Sequence, residues 1–384
     1  MEQTQVKELR TTPLHALHCE LGARLVAFAG YEMPVQFAGV MEEHLWTRRR
    51  AGLFDVSHMG PCFLSLADSS LSGEAAHQAI SAQIEKLVPS SISSLSPGQA
   101  RLTVLLNENG GILDDLIVTR PFDDELQGTL YLVVNGAMKH EDWALFERTL
   151  SPHVSLQQVD DRALMALQGP KAAEALGGVL PGCGTLNFMQ GRRLIWRGQE
   201  VWCSRCGYTG EDGFEVLVPA EVASDFARVL LADERVRPVG LGARDSLRLE
   251  AGLCLYGQDL DPRRTPVEAD LAWVIQKSRR VAADFPGADR ILEELVSGPR
   301  LKRVGIEVTD KAPARQGTEI QLNDESIGMV TSGGFSPCLE RPIAMGYVRS
   351  EFAIPGTEID LIVRGRPRAG RICTLPFVQP NYQR

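Results

Sequence analysis

Residues 102–119 hold the strongest constraint on what this chain can fold into. The run 102–106 (Leu-Thr-Val-Leu-Leu) reads as a strand, and 112–119 (Ile-Leu-Asp-Asp-Leu-Ile-Val-Thr), rich in β-branched residues, reads as its returning partner. Between them Asn109-Gly110-Gly111 is a turn signal, because glycine takes positive φ without a Cβ penalty. A hairpin follows, and an antiparallel sheet must be built around it. Two carboxylates, Asp114 and Asp115, stand just inside its second arm. Alternation along a strand points them to opposite faces, one toward solvent and the other toward a core or a cleft. A carboxylate on an apolar strand beside a tight turn is a candidate catalytic acid or base. The alternative is that both acids simply solvate the hairpin end.

The chain before and after the hairpin supplies its surroundings. Thr12-Pro13 reads as a helix start, with Thr12 as N-cap and Pro13 at the first helical position. His15 and His18 stand three apart ahead of Cys19; without further convergent ligands they read as surface histidines rather than a metal site. Residues 27–39 mix aromatics, glycine and proline, as a loop or short strands near a ligand would. Residues 42–52 read as a short helix, with Glu42 and Glu43 first and Arg48, Arg49 and Arg50 last, the order that the helix dipole favours. The arginine run is thus read as a helix end, not a binding patch. Residues 53–60 and 62–66 read as paired strands, and 75–84 as a helix. A buried strand at 130–134 ends at Asn135-Gly136, and 137–150 is an amphipathic helix with Trp143, Phe146 and Leu150 on one face. Such alternation points to an α+β architecture with antiparallel sheets.

Further on, strands at 201–206 and 214–218 flank the loop 207–213 (Gly-Tyr-Thr-Gly-Glu-Asp-Gly). Cys203 and Cys206 have no second pair to complete a zinc site, and alternation points them apart. Gly240-Leu241-Gly242 lacks the third glycine of a dinucleotide fingerprint, and no Walker A motif occurs. A helix running to 253 carries Arg244 and Arg248 on one face. Arg244 reads either as the ion-pair partner of a nearby acid or as an anion or carbonyl clamp, using its rigid donor fork. A composition break at 279–302 marks a domain boundary. Beyond it, six short strands at 304–308, 319–322, 327–331, 344–348, 358–363 and 371–375 imply a small antiparallel barrel or sandwich.

Composition removes several classes. A length of 384 residues implies two to three domains. A net charge of −9 is wrong for a protein that must neutralise nucleic-acid phosphates. No apolar run reaches the ~20 residues needed to cross a bilayer, so no membrane partner is expected. Eight scattered cysteines fit a reducing compartment. No secretory signal and no intact transit peptide is read in the first twelve residues.

Taken in order, several blocks resemble one family. They are Thr12-Pro13-Leu14-His15, the Gly52-Leu53-Phe54-Asp55-Val56-Ser57-His58-Met59 block, Gly110 through Val118, and Gly207 through Glu215. Gly242 through Leu253, Thr265-Pro266-Val267-Glu268-Ala269 and Val330 through Pro337 follow. The set resembles the T-proteins of the glycine cleavage system, the aminomethyltransferases. The resemblance implies two mixed α/β lobes of interleaved sequence plus a C-terminal antiparallel β-barrel, with folate in a central opening. It places the folate-binding region at 12–278, with the hairpin lobe at about 53–136, a connector at 279–302 and the barrel at 303–384. It implies transfer of a methylene carbon from the aminomethyl-dihydrolipoyl arm of lipoylated H-protein to tetrahydrofolate, with release of ammonia. By position, Asp114 resembles the family's catalytic aspartate near folate N10, and Glu215 its pterin ligand. Arg244 and Tyr382 fall at further ligand positions, and Asn135 is a weaker folate-binding candidate. No metal, flavin or nicotinamide is implied. The ending Pro376-Phe377-Val378 with Asn381-Tyr382 resembles mitochondrial members, which implies the matrix, with a bacterial cytoplasm as the alternative. The competing readings are a folate-dependent demethylase of methylated amines and a non-catalytic folate-binding module.

Overall fold

The hairpin forms where alternation places it. In the computed structural model, which describes residues 9–68, 70–310 and 312–383, strand Ala100–Leu106 pairs antiparallel with Ile112–Thr119. Asn107 builds the turn: its Oδ1 accepts the backbone N–H of Asn109 at 2.9 Å and of Gly111 at 3.0 Å. Gly110 supplies a φ of 75°. Gly111 is glycine for a different reason, since a Cβ there would stand 1.8 Å from the Pro262 carbonyl oxygen. The hairpin tip therefore lies beneath a later segment of the chain.

The hairpin is one side of a five-stranded antiparallel sheet, continued by Thr129–Val134, Gly60–Leu66 and Val154–Gln158. Leu105, Leu116, Val118 and Leu132 pack there with Ile80 and Ile84 of helix Gly73–Ile84. They also meet Trp143, Phe146 and Leu150 of helix Lys139–Leu150, the apolar stripe that the period predicts.

A six-stranded sheet is built from Gln190–Trp196, Gln199–Arg205, Gly213–Pro219, Arg162–Gln168, Ala51–Asp55 and Val236–Pro238, in that order. Its last pair is parallel, a departure from the all-antiparallel expectation. The expected pairing of 53–60 with 62–66 does not occur: Ala51–Asp55 belongs to this sheet and Gly60–Leu66 to the other. At the crossing, buried Asp55 accepts Thr12 Oγ1 at 2.6 Å and His18 Nε2 at 2.7 Å on one oxygen. Its other oxygen accepts Ser57 N–H at 2.9 Å and Ser57 Oγ at 2.5 Å. A buried carboxylate needs such donors. That need draws in Thr12, whose hydroxyl also accepts the Leu14 N–H at 3.3 Å ahead of the helix His15–Glu20, and His18, which is buried and not at the surface.

The arginine run is also corrected. Helix Val40–Arg49 ends ahead of Gly52, which lies in a strand, and the Arg48 side chain is buried between Glu211 and Glu250. The helix Leu241–Glu250 stops three residues short of the expected end, and Leu249 packs on Ile343 and Met345. Those two residues belong to a closed antiparallel barrel of six strands, Leu301–Val308, Arg341–Arg349, Glu325–Ser336, Glu319–Leu322, Glu358–Val363 and Arg366–Cys373. Of barrel and sandwich, the barrel is formed. Among the described residues no helix is long and apolar enough to cross a membrane. The reading of the amino terminus falls in part on residues 1–8, outside the described residues.

Candidate active site

The two hairpin acids do not solvate a turn. Asp114 is fully buried and Asp115 half-buried. Both are gripped by Asn135, at the end of the neighbouring strand. Its backbone N–H donates to Asp114 Oδ2 at 2.9 Å, and its Nδ2 donates to Asp114 Oδ1 and Asp115 Oδ1, each at 2.9 Å. Alternation holds along this strand, with Asp114 inward and Asp115 on the less buried side, and Asn135, standing at the end of the next strand, reaches both acids with one amide. Burial raises the proton affinity of Asp114, against hydrogen bonds from Asp142 and Asn135 that lower it. Burial and the adjacent Asp114 push Asp115 up to about 7. Asp114 is therefore an oriented carboxylate in a poorly solvated place, which strengthens it as a base.

A second group forms at the six-stranded sheet. Glu215 lies on Gly213–Pro219, and burial raises its pKa, offset by the charge of Arg244. Arg244 is on the first turn of Leu241–Glu250, its guanidinium 4.8 Å from the Tyr208 ring centroid. Among the described residues no ion pair joins Arg244 to Glu215, and its Nη1 is buried without a hydrogen-bond partner. A buried guanidinium N–H with no acceptor fits an acceptor brought by a bound molecule. Tyr208 links the groups: burial raises its phenol, Arg248 opposes that, and the charge of Asp115 reinforces it.

His58 packs against Gly136, the residue after Asn135. Its backbone oxygen and ring Cδ2 would stand 2.6 and 2.9 Å from a Cβ there. Burial and the charge of Arg244 pull its pKa down to about 3, so the ring is neutral. Tyr382 stacks on Phe188, with ring centroids 4.3 Å apart. The adjacent Asn381 donates its N–H to the Gly210 carbonyl at 2.8 Å, tying the tail to the loop before Glu215.

Of the expected residues, Asp114 and Asn135 touch directly, and Glu215 and Arg244 interact through charge. Tyr382 reaches the neighbourhood through the tail. Asn135 spends its side-chain amide on two aspartates, a positioning duty that the sequence reading did not include. Tyr208, His58 and Asp142 also belong to this group and are not among the residues expected from the sequence. Only Asp142 had a local signal: it sits four residues before Phe146, on the apolar face of its helix.

The chain resembles known proteins along nearly its whole length. Residues 14–279 match the GCVT N-terminal domain, and residues 302–379 match the glycine cleavage T-protein C-terminal barrel domain. A probable mitochondrial aminomethyltransferase of Schizosaccharomyces pombe is 43% identical over 380 residues, covering 97% of this chain and 94% of its own. The mitochondrial aminomethyltransferase of Pisum sativum is 43% identical over 386 residues, 98% of this chain and 91% of its own. The crystal structure of a glycine cleavage system aminomethyltransferase T from Bartonella henselae superimposes with a TM-score of 0.89 at 42% identity. The match covers 98% of this chain and 100% of that one.

Proposed function

The chain belongs to the glycine cleavage T-protein family of aminomethyltransferases, and on that premise we propose that Asp114 is the base of a tetrahydrofolate-dependent transfer. The donor is the aminomethyl group on the dihydrolipoyl arm of H-protein. Its carbon forms bonds to N5 and N10 of tetrahydrofolate and breaks its bonds to sulfur and to nitrogen. The two protons lost from N5 and N10 end on the departing amine and the arm's sulfur, leaving ammonia, a dithiol and 5,10-methylenetetrahydrofolate.

The observation that carries this reading is the grip of Asn135 on Asp114. Two donors at 2.9 Å fix both carboxylate oxygens in a buried setting. A positioned base of this kind, taking the N10 proton as the new bond forms, is worth roughly 10²–10⁴ in rate. Glu215 offers a carboxylate fork to the pterin edge, which presents a ring N–H beside an exocyclic amine. Arg244, with its unpartnered N–H, meets an acceptor on the same molecule. Tyr382, stacked on Phe188 next to Asn381, which holds the loop before Glu215, is assigned to the same molecule. On this reading the catalytic region is 12–278, followed by the connector 279–302 and the barrel 303–384. The mitochondrial names of relatives support residence in the matrix.

A single-turnover assay tests the proposal. The protein is mixed with aminomethyl-loaded H-protein, with and without tetrahydrofolate, while ammonia and methylenetetrahydrofolate are followed together. Stoichiometric, folate-dependent formation of both is expected. Asp114→Asn should slow the step by roughly 10²–10⁴ with little change in folate affinity. Lost folate binding in that variant would make Asp114 a binding residue, and undiminished turnover would dismiss it as the base.

A further inference from the structure

One buried acid beside Asp114 has no part in that chemistry. Asp142 sits on the first turn of helix Lys139–Leu150 and is 2% exposed. Its carboxyl meets that of Asp114 within hydrogen-bonding contact. Its Oδ2 is buried and has no hydrogen-bond donor among the described residues. Both oxygens of Asp114, in contrast, already accept N–H donors from Asn135. Two carboxyl groups in contact can share one proton but cannot both ionise away from water. The donors on Asp114 fix where the charge sits, because N–H groups aimed at both oxygens favour the anion.

Among the described residues, the charged groups that act most strongly on Asp142 are acids. Asp114 and Asp115 approach from the hairpin strand, Tyr256 from the segment after the helix Leu241–Glu250, and Cys62 from strand Gly60–Leu66. Glu141 adds a like charge from its own helix. Lys139, one turn back, is turned to Tyr31 Oη at 2.8 Å and Asp160 at 2.9 Å. Burial and these neighbouring acids push Asp142 up to about 10.

We infer that Asp142 is a positioning residue that stays a neutral acid and donates its O–H to Asp114, so that the pair carries one negative charge, held on Asp114. This rests on Asp114 being the base. The O–H donor keeps a buried carboxylate ionised among other acids, while burial keeps it basic enough to take a proton near neutral pH.

The sign of a pH shift tests the inference. The acid limb of the single-turnover rate is measured for the wild type, Asp142→Leu and Asp142→Asn. Losing the O–H donor in the leucine variant should move the limb up by roughly one pH unit. Asparagine keeps an N–H donor and should hold the limb closer to the wild type. An ionised Asp142 would give the reverse, since removing its charge moves the limb down in both variants, and that result would overturn the inference, as would no movement. A second measurement needs no turnover. With carboxyl-¹³C aspartate, the resonance that disappears in Asp142→Asn should keep a neutral-acid shift at pH 8 in the wild type. A carboxylate shift there would refute the pairing whatever the leucine variant does. If Asp114→Asn turned over normally while this resonance stayed neutral, the base assignment would fail and the shared proton would stand.

Discussion

Replacing Arg48 by alanine should destabilise the protein by roughly 3–5 kcal/mol, the usual cost of stranding a buried charge. The Arg48 guanidinium is only 8% exposed and joins three parts of the chain. It donates to the Thr209 carbonyl at 2.7 Å, to Glu211 Oε1 at 2.9 Å and to Glu250 Oε2 at 2.9 Å. The two acids do not suffer equally when it is removed. Glu250 keeps His44 Nε2 at 2.9 Å, Ser336 Oγ at 2.5 Å and the Cys338 N–H at 3.0 Å. Burial alone would raise its pKa, yet these donors hold it down to about 2. Glu211, 3% exposed, keeps one long contact from Asn381 Nδ2 at 3.3 Å. Most of the penalty therefore falls on Glu211. In the Arg48→Ala background, Glu211→Gln should recover about 1–3 kcal/mol, the cost of one unsatisfied buried group, and Glu250→Gln less. Urea unfolding of the wild type, the single variant and both doubles measures this directly. A loss below ~1 kcal/mol, within the range of an exposed pair, would refute the buried-network argument. Greater rescue by Glu250→Gln would refute the ranking.

Glu215→Ala should weaken tetrahydrofolate binding by about 1.5–3 kcal/mol, the worth of hydrogen bonds to a charged group, and equilibrium titration would show it; unchanged affinity would reject the pterin fork. Gly111→Ala would drive a Cβ to 1.8 Å from the Pro262 oxygen, so the hairpin must move; a loss of ~2 kcal/mol or more is expected on denaturation, together with slowed transfer. Acidification should act through His58, whose pKa is pulled down to about 3 in the fold. Above ~6.5 the ring is neutral in both states, and below it only the unfolded chain takes the proton, so this contribution falls by about 1.4 kcal/mol per pH unit toward 3. His58→Gln should remove that share of the slope between pH 6.5 and 4, and an unchanged slope would mean that His58 is not held neutral.

The elements with a local period were legible from the residues. The hairpin, the Trp143–Phe146–Leu150 face and the six barrel strands all rest on alternation or on a 3.6-residue repeat, which depend on near neighbours in the chain. Asp114 stood out for the same reason, as an acid on an apolar strand beside a turn. The failures share one cause as well. Residues 53–66 look like a local pair, but the chain crosses between sheets there, held by Asp55 with donors from 43 and 37 residues away. Arg48 has the signature of a helix end and the surroundings of a core, because Glu211 and Glu250 lie 163 and 202 residues further on. Asp142 lies on the apolar face of its helix, but nothing local to it names Asp114 as the group it meets. Strands, helices and the one suspect acid can be read from neighbouring residues, since they follow from short-range sterics and the burial of apolar faces. Which charges meet depends on the folded chain, because a buried ion or shared proton is set by partners that long-range packing brings together, and no period in the chain encodes their distance.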